Sequence, residues 1–174
     1  MKPKTFFDSN LREQAESPDE VHEHIAALQI HLLHTIVPSE IAKVLGEIGN
    51  WFKILGLWEK AIEHFEKARQ SSPKGGLLAA LELRLADTYR LMGNYNEALI
   101  RFQKFSQQEA SIWMQFEDFY HQHLGKLHFD QQNYDQALKC FQSAWVLREK
   151  KGNSELLKST ERAIQETLKR ISVE

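Results

Sequence analysis

Cysteine is nearly absent from this chain: Cys140 is the only one among 174 residues. No intrachain disulfide can form, a four-cysteine metal site is excluded, and a reducing, cytoplasmic setting is the expectation. Long hydrophobic runs are missing as well. No apolar stretch approaches the roughly 18 residues that a membrane span needs, so no membrane partner is expected. The opening MKPKTFFDSNLREQAESPDE holds no apolar segment of signal-peptide length, which argues against secretion by such a signal. Neither sign of charge dominates. With 22 Lys and Arg against 24 Asp and Glu the net charge is −2, unlike a nucleic-acid binder with a basic surface, and no nucleic-acid partner is expected. Proline and glycine are scarce, at four and eight, and fall mostly between periodic segments, which leaves room for long helices. The remaining composition, 42% hydrophobic and 26% charged, has enough apolar material for a core and suits one folded domain.

Catalytic signatures are absent too. There is no glycine-rich phosphate loop, no Gly-x-Ser-x-Gly and no HExxH. His31 and His34 are three apart, and His121 and His128 seven apart, but neither pair has an acidic ligand at useful spacing, so no metal is expected. Cys140 sits one residue before Phe141 in a helical pattern, with no positioned base to activate it. The expectation is a protein with no enzymatic activity and no cofactor.

What the chain does have is a repeat. LGLWEKAIEHFEKA (55–68), MGNYNEALIRFQKF (92–105) and QQNYDQALKCFQSA (131–144) align without a gap. Ala61, Ala98 and Ala137 fall in one column, Phe65, Phe102 and Phe141 in another, and Trp58, Tyr95 and Tyr134 in a third. Steps of 37 and 39 residues between the alanines are those of a helical repeat array. An upstream segment repeats as well, with Ile48–Gly49, Leu85–Ala86 and Leu124–Gly125 each followed three residues later by a ring, Phe52, Tyr89 or His128. Small residues let two helices approach closely, and large rings fill the space beside the approach. Gly56 and Gly93 sit where a helix ends with positive φ, and Asn94 with Glu97 and Asn133 with Gln136 have the spacing of helix N-caps.

This pattern of small residue, aromatic, alanine and phenylalanine, completed in the first repeat by Ala68 and the closing Pro73, resembles the tetratricopeptide repeat (TPR) family. The resemblance implies an all-α, TPR-like α-solenoid with three helix–turn–helix units over 41–150, at about 41–73, 77–110 and 112–150. Residues 1–16 are expected to be a flexible tail. SPDEVHEHIAALQIHLLHTI starts with Ser17, Pro18 and Glu20 in capping order and gives an N-terminal helix over 17–37 that caps the array or dimerises. A C-terminal capping helix is expected over 153–172, after Gly152.

The resemblance also implies a concave groove, lined by the first helix of each repeat, that binds a peptide or partner segment. Helical spacing points Lys43, Gly46, Asn50 and Lys53 into it from the first repeat, and Leu83, Arg84, Asp87 and Arg90 from the second. The third contributes Phe119, Gln122, His123, Lys126 and Asp130. Five basic residues against two acidic reverse the charge of the whole chain, so an acidic segment is the favoured ligand. The function expected is that of an interaction module or adaptor, monomeric or homodimeric. Two alternatives stand beside it: a small TPR chaperone dimerising through IAALQIHLLHTI, with Leu28 and Leu32 in the interface, and a peptide-sensing regulatory protein.

Overall fold

Ser17 accepts a hydrogen bond from the Glu20 N–H at 3.4 Å, and Pro18 fills the first turn of the helix that follows, where its missing N–H costs nothing. This computed structural model describes residues 2–71 and 74–172, so Pro73, expected to close the first repeat, lies outside the described residues. Among those described, eight helices succeed one another: α1 (Pro18–Leu33), α2 (Pro38–Ile54), α3 (Trp58–Ser71), α4 (Gly75–Leu91), α5 (Tyr95–Phe105), α6 (Ala110–Asp130), α7 (Tyr134–Lys151) and α8 (Ser154–Ile171). The fold is the expected all-α helical repeat. The longer 39-residue step has its origin in α6, which has 21 residues against 17 in α2 and in α4.

The chain forms two compact units. The first takes the residues up to Asp8 and from Arg12 to Arg101; the second takes Ser9–Leu11 and the chain from Phe102 onward. In the first unit α2 and α3 cross where Gly49 meets Phe65. A methyl group at Gly49 would lie 2.8 Å from ring carbons of Phe65, so the two helices are as close as a missing side chain permits. Ile48, Ala61, Phe65, Leu81 and Leu85 are fully buried in the surrounding core. Helix α1 adds Val21 and Ile25, with Leu28 and Leu32 packed at the margin. Along α3, α4 and α5, Arg101 joins Glu66, Glu82 and Glu97 and lies over the Tyr89 ring.

The second unit repeats the crossing with α6 and α7. Here a methyl group at Gly125 would lie 2.6 Å from Phe141. Ala137, Phe141 and Ala144 are fully buried along α7, and α8 packs on that helix through Thr160, Ala163 and Thr167. Asn153 caps α8 by accepting from the Leu156 N–H at 3.1 Å.

The turns keep one register. The N–H groups of Leu57, Asn94 and Asn133 each bond the carbonyl five residues back, which belongs to the ring residue, Phe52, Tyr89 or His128. Gly56 and Gly93 supply the left-handed residue before them, and Gln132 does so in the third repeat at φ 62. Asn94 accepts from the Glu97 N–H as expected. Asn133 does not cap: its side chain makes no capping bond, and its backbone at φ −83, ψ 64 lies outside the extended region of a usual N-cap.

The expected N-terminal tail is replaced by a hairpin. Strands β1 (Thr5–Phe7) and β2 (Glu13–Ala15) pair antiparallel with Phe6 opposite Gln14. Asp8 fastens the turn, accepting from the Arg12 N–H at 2.9 Å and from the Gln14 amide at 3.3 Å.

Two outcomes follow from this packing. Gly125→Ala forces the buried Phe141 ring aside and is expected to cost about 1–3 kcal/mol, read as a lower urea midpoint. Phe141→Leu in the same chain recovers part of that loss. His128 is half-buried, its Nδ1 has no partner among the described residues, and burial pushes its pKa below the ordinary 6.5. Burial also depresses His121, outweighing the raising effect of Glu117. The unfolded chain therefore binds more protons near this value. The contribution is fully present above pH 6.5 and is lost as pH falls through it. Urea titrations on either side of that value are expected to show the loss, and a smaller one in His128→Phe.

Candidate functional site

The residues expected to face a groove divide, once folded, into those committed to the scaffold and those at its surface. In the first unit, α2 and α4 bring Lys53, Asp87 and Arg90 together. Lys53 Nζ bonds Asp87 Oδ2 at 3.0 Å, and Arg90 Nε bonds Asp87 Oδ1 at 2.9 Å. Their side chains are 10%, 4% and 1% exposed, so this triad is internal and is not the lining of an open groove. Leu83 is buried beside it. The physical reason is that a buried carboxylate needs both its oxygens paired, and two cations meet that need.

Lys43, Asn50 and Arg84 keep access to solvent. Lys43 is exposed and pairs with Glu40 on its own helix at 2.6 Å, and Asn50 is half-buried. Arg84 runs along α2 and donates to the Gly46 carbonyl at 3.2 Å. The absence of a side chain at Gly46 leaves it room, since a methyl group there would lie 3.2 Å from Arg84 Nη1. Burial pushes the Arg84 pKa down, with only the field of Glu47 opposing. No carboxylate lies within ion-pair distance of Arg84 among the described residues. Glu47 itself pairs with His24 at 3.4 Å.

In the second unit Gln122, expected in the groove, is buried in a polar cluster around Arg148. Arg148 Nε bonds Asp118 Oδ2 at 3.1 Å, and its Nη1 reaches Gln122 Oε1 at 3.1 Å, Thr160 Oγ1 at 2.6 Å and the Leu156 carbonyl at 3.1 Å. The Phe119 ring lies 5.4 Å from the guanidinium, and Lys151 bonds the second Asp118 oxygen. Burial lowers the Arg148 pKa while Asp118 opposes it. One side chain thus joins α6, α7 and α8. In the sequence Arg148 stands in REKK (148–151), a charged run with nothing local to mark one member as buried. The signal was the buried stripe of Ala137, Phe141 and Ala144, which Arg148 continues at helical spacing. Lys126 is half-buried on α6.

Among the described residues no group of three or more His, Cys, Asp or Glu is placed to hold a metal ion. Burial pushes the half-buried Cys140 thiol up, away from the thiolate that chemistry at cysteine requires. No described helix is long and apolar enough to cross a membrane.

Two models of the tetratricopeptide repeat family match the sequence, over residues 40–105 and 122–151, together more than half of the chain. This chain belongs to the tetratricopeptide repeat family. No curated protein matches its sequence. Among solved structures, the first TPR domain of human RPAP3 is similar at 18% identity and a TM-score of 0.52, over 76% of this chain and 97% of that one. BtubC from P. vanneervenii is similar at 18% identity and a TM-score of 0.51, over 88% and 71%. A double mutant of MamA RS-1 is similar at 14% identity and a TM-score of 0.51, over 91% and 87%. These likenesses establish the fold. As a TPR protein the chain is a protein–protein interaction module.

The Asp87 triad gives this scaffold a direct test. Asp87→Ala leaves two internal cations facing each other and is expected to cost about 3–5 kcal/mol, read by urea denaturation. Replacing all three together, as Lys53→Met, Asp87→Leu and Arg90→Met, is expected to cost much less than that single change.

Proposed function

We propose that this TPR protein is an adaptor without catalytic activity, working in the cytoplasm, that binds an acidic segment of a partner on α2 and α4. Lys43, Asn50 and Arg84 are its contact residues, while Lys53, Asp87 and Arg90 hold the two helices in place beneath them. The observation that carries the reading is Arg84: a partly buried guanidinium whose described bond goes to a backbone carbonyl, with no carboxylate within ion-pair distance among the described residues. A partner carboxylate supplies the missing counter-charge, and an amide such as Asn50 suits a partner backbone.

A second reading has an observation of its own. Leu28 and Leu32 are partly buried against the chain's own core. Large apolar residues left bare on α1 and just after it include Ile30, Leu33, Ile36 and Val37, at 61%, 81%, 88% and 51% exposure. Such a face suits dimerisation, as in the chaperone alternative.

Both readings are tested on the same protein. Peptides selected from a random displayed library are expected to be rich in Asp and Glu and to bind more weakly as salt rises. Lys43→Gln/Arg84→Gln is expected to weaken them about tenfold or more. Selected peptides with no acidic bias, or equal binding by the variant, overturn the adaptor reading. A dimer in sedimentation that Leu33→Glu/Ile36→Glu converts to a monomer would establish the α1 interface.

A further inference from the structure

Leu11 is held in a conformation that a leucine rarely adopts, at φ 58, where its Cβ crowds the backbone. Its side chain is only 3% exposed. It joins the apolar cluster of Phe129, Ala137, Phe141 and Ala163 in the second unit, with Tyr134 and Ile164 at the margin. Ser9 and Asn10, its companions in that unit, are exposed, so Leu11 is the apolar side chain they bring with them. Beside it Arg170 Nη2 donates to Asn10 Oδ1 at 3.2 Å, and the same guanidinium lies 5.9 Å from the Phe129 ring centroid. An apolar anchor in a helix-lined seat, with a polar contact at its rim, is how a short peptide turn is commonly bound.

We propose that the seat walled by Phe129 and Ala163, with Arg170 at its rim, is a binding site for a tight turn of a partner protein that presents a leucine. In the free chain the Ser9–Leu11 loop fills this seat as an intramolecular competitor. The partner turn carries the leucine after a residue whose side chain accepts a hydrogen bond from Arg170. Tethering by the hairpin raises the effective concentration of the loop at the seat, which a partner must overcome. Backbone strain at Leu11 weakens the loop's hold relative to a turn that presents its leucine without strain. This site is separate from the face of α2 and α4, and the proposal does not rest on that reading.

The probe is a fluorescent cyclic peptide of residues 4–16, closed end to end to keep the hairpin turn. It is titrated against the full chain and against its Leu11→Gly variant by anisotropy. Glycine is at ease at positive φ, so this variant empties the seat while relieving the turn; circular dichroism checks that it folds. The peptide is expected to bind Leu11→Gly at least about tenfold tighter than the unmodified chain. The same peptide with glycine in place of its leucine is expected to bind neither, and Arg170→Gln is expected to weaken binding several-fold. In the unmodified chain, excess peptide is expected to speed hydrogen exchange at the amides of residues 9–12, a readout that needs no variant. Equal affinity for the two chains overturns the proposal, as does no binding to Leu11→Gly. It is overturned too if the unmodified chain is a dimer that Leu11→Gly dissolves, since the loop would then fill the seat of a second copy.

Discussion

The missing side chains at Gly49 and Gly125 are the constraint on which the architecture depends. Each lets a phenylalanine ring, Phe65 or Phe141, lie against the backbone of the facing helix, closer than any other residue would permit. Once that approach is fixed, the rest of each helix pair has little freedom. The alanine four residues before the ring must be small because it faces the same contact, and Ala61 and Ala137 are fully buried. The aromatics three residues earlier, Trp58 and Tyr134, stay half-buried at the edge. The turn between the helices is held by the N–H of Leu57 or Asn133 bonding the carbonyl of Phe52 or His128, so the ring that flanks the close approach also closes the helix end.

Close packing on one side of a helix decides what its flank can carry. In each unit a buried aspartate lies on a first helix and gathers one arginine and one lysine: Asp87 takes Arg90 and Lys53, and Asp118 takes Arg148 and Lys151. A buried ion pair adds little net stability over apolar packing, because desolvation consumes most of the Coulomb gain. Its effect is directional. Two oxygens and two cations meet in few arrangements, so the pairs fix how α4 sits on α2 and how α7 and α8 sit on α6. In the second unit Gln122 and Thr160 complete the set of acceptors around Arg148, leaving the guanidinium satisfied inside the protein.

The columns of small and large residues were legible because size is a property of the residue itself and the repeat shows it three times. The left-handed turn position was legible at Gly56 and Gly93 and hidden at Gln132, where only the bonding register reveals it. Charge was harder to read. Lys53, Arg84 and Arg90 are alike as sequence, each a cation at a first-helix position. Asp87 pairs with Lys53 and Arg90, whereas the described bond of Arg84 goes to the Gly46 carbonyl, and such pairing depends on the neighbouring helix, which no local pattern encodes. Gln122 was misread for the same reason: its partners Arg148 and Thr160 lie 26 and 38 residues away. The N-terminal hairpin escaped because its strands have three residues each and its turn has no glycine; an aspartate side chain holds it.

Counting charges along a presumed groove therefore overstates what a partner meets. A cation paired inside the scaffold contributes neither steering nor a hydrogen bond to a ligand, because its field is cancelled within a few ångströms. A cation with no counter-ion keeps both, and partial desolvation strengthens any pair it later forms. On α2 and α4 that distinction removes Lys53 and Arg90 and leaves Arg84 as the group with most to gain. The same reasoning applies to apolar side chains. Leu28 and Leu32 are partly committed to the core, Leu11 is buried in its cluster at a cost in backbone strain, and Ile30, Leu33 and Ile36 are largely exposed. In a fold shared by unrelated functions the scaffold does not set the partner, so recognition has to differ in the groups such a scaffold leaves at its surface.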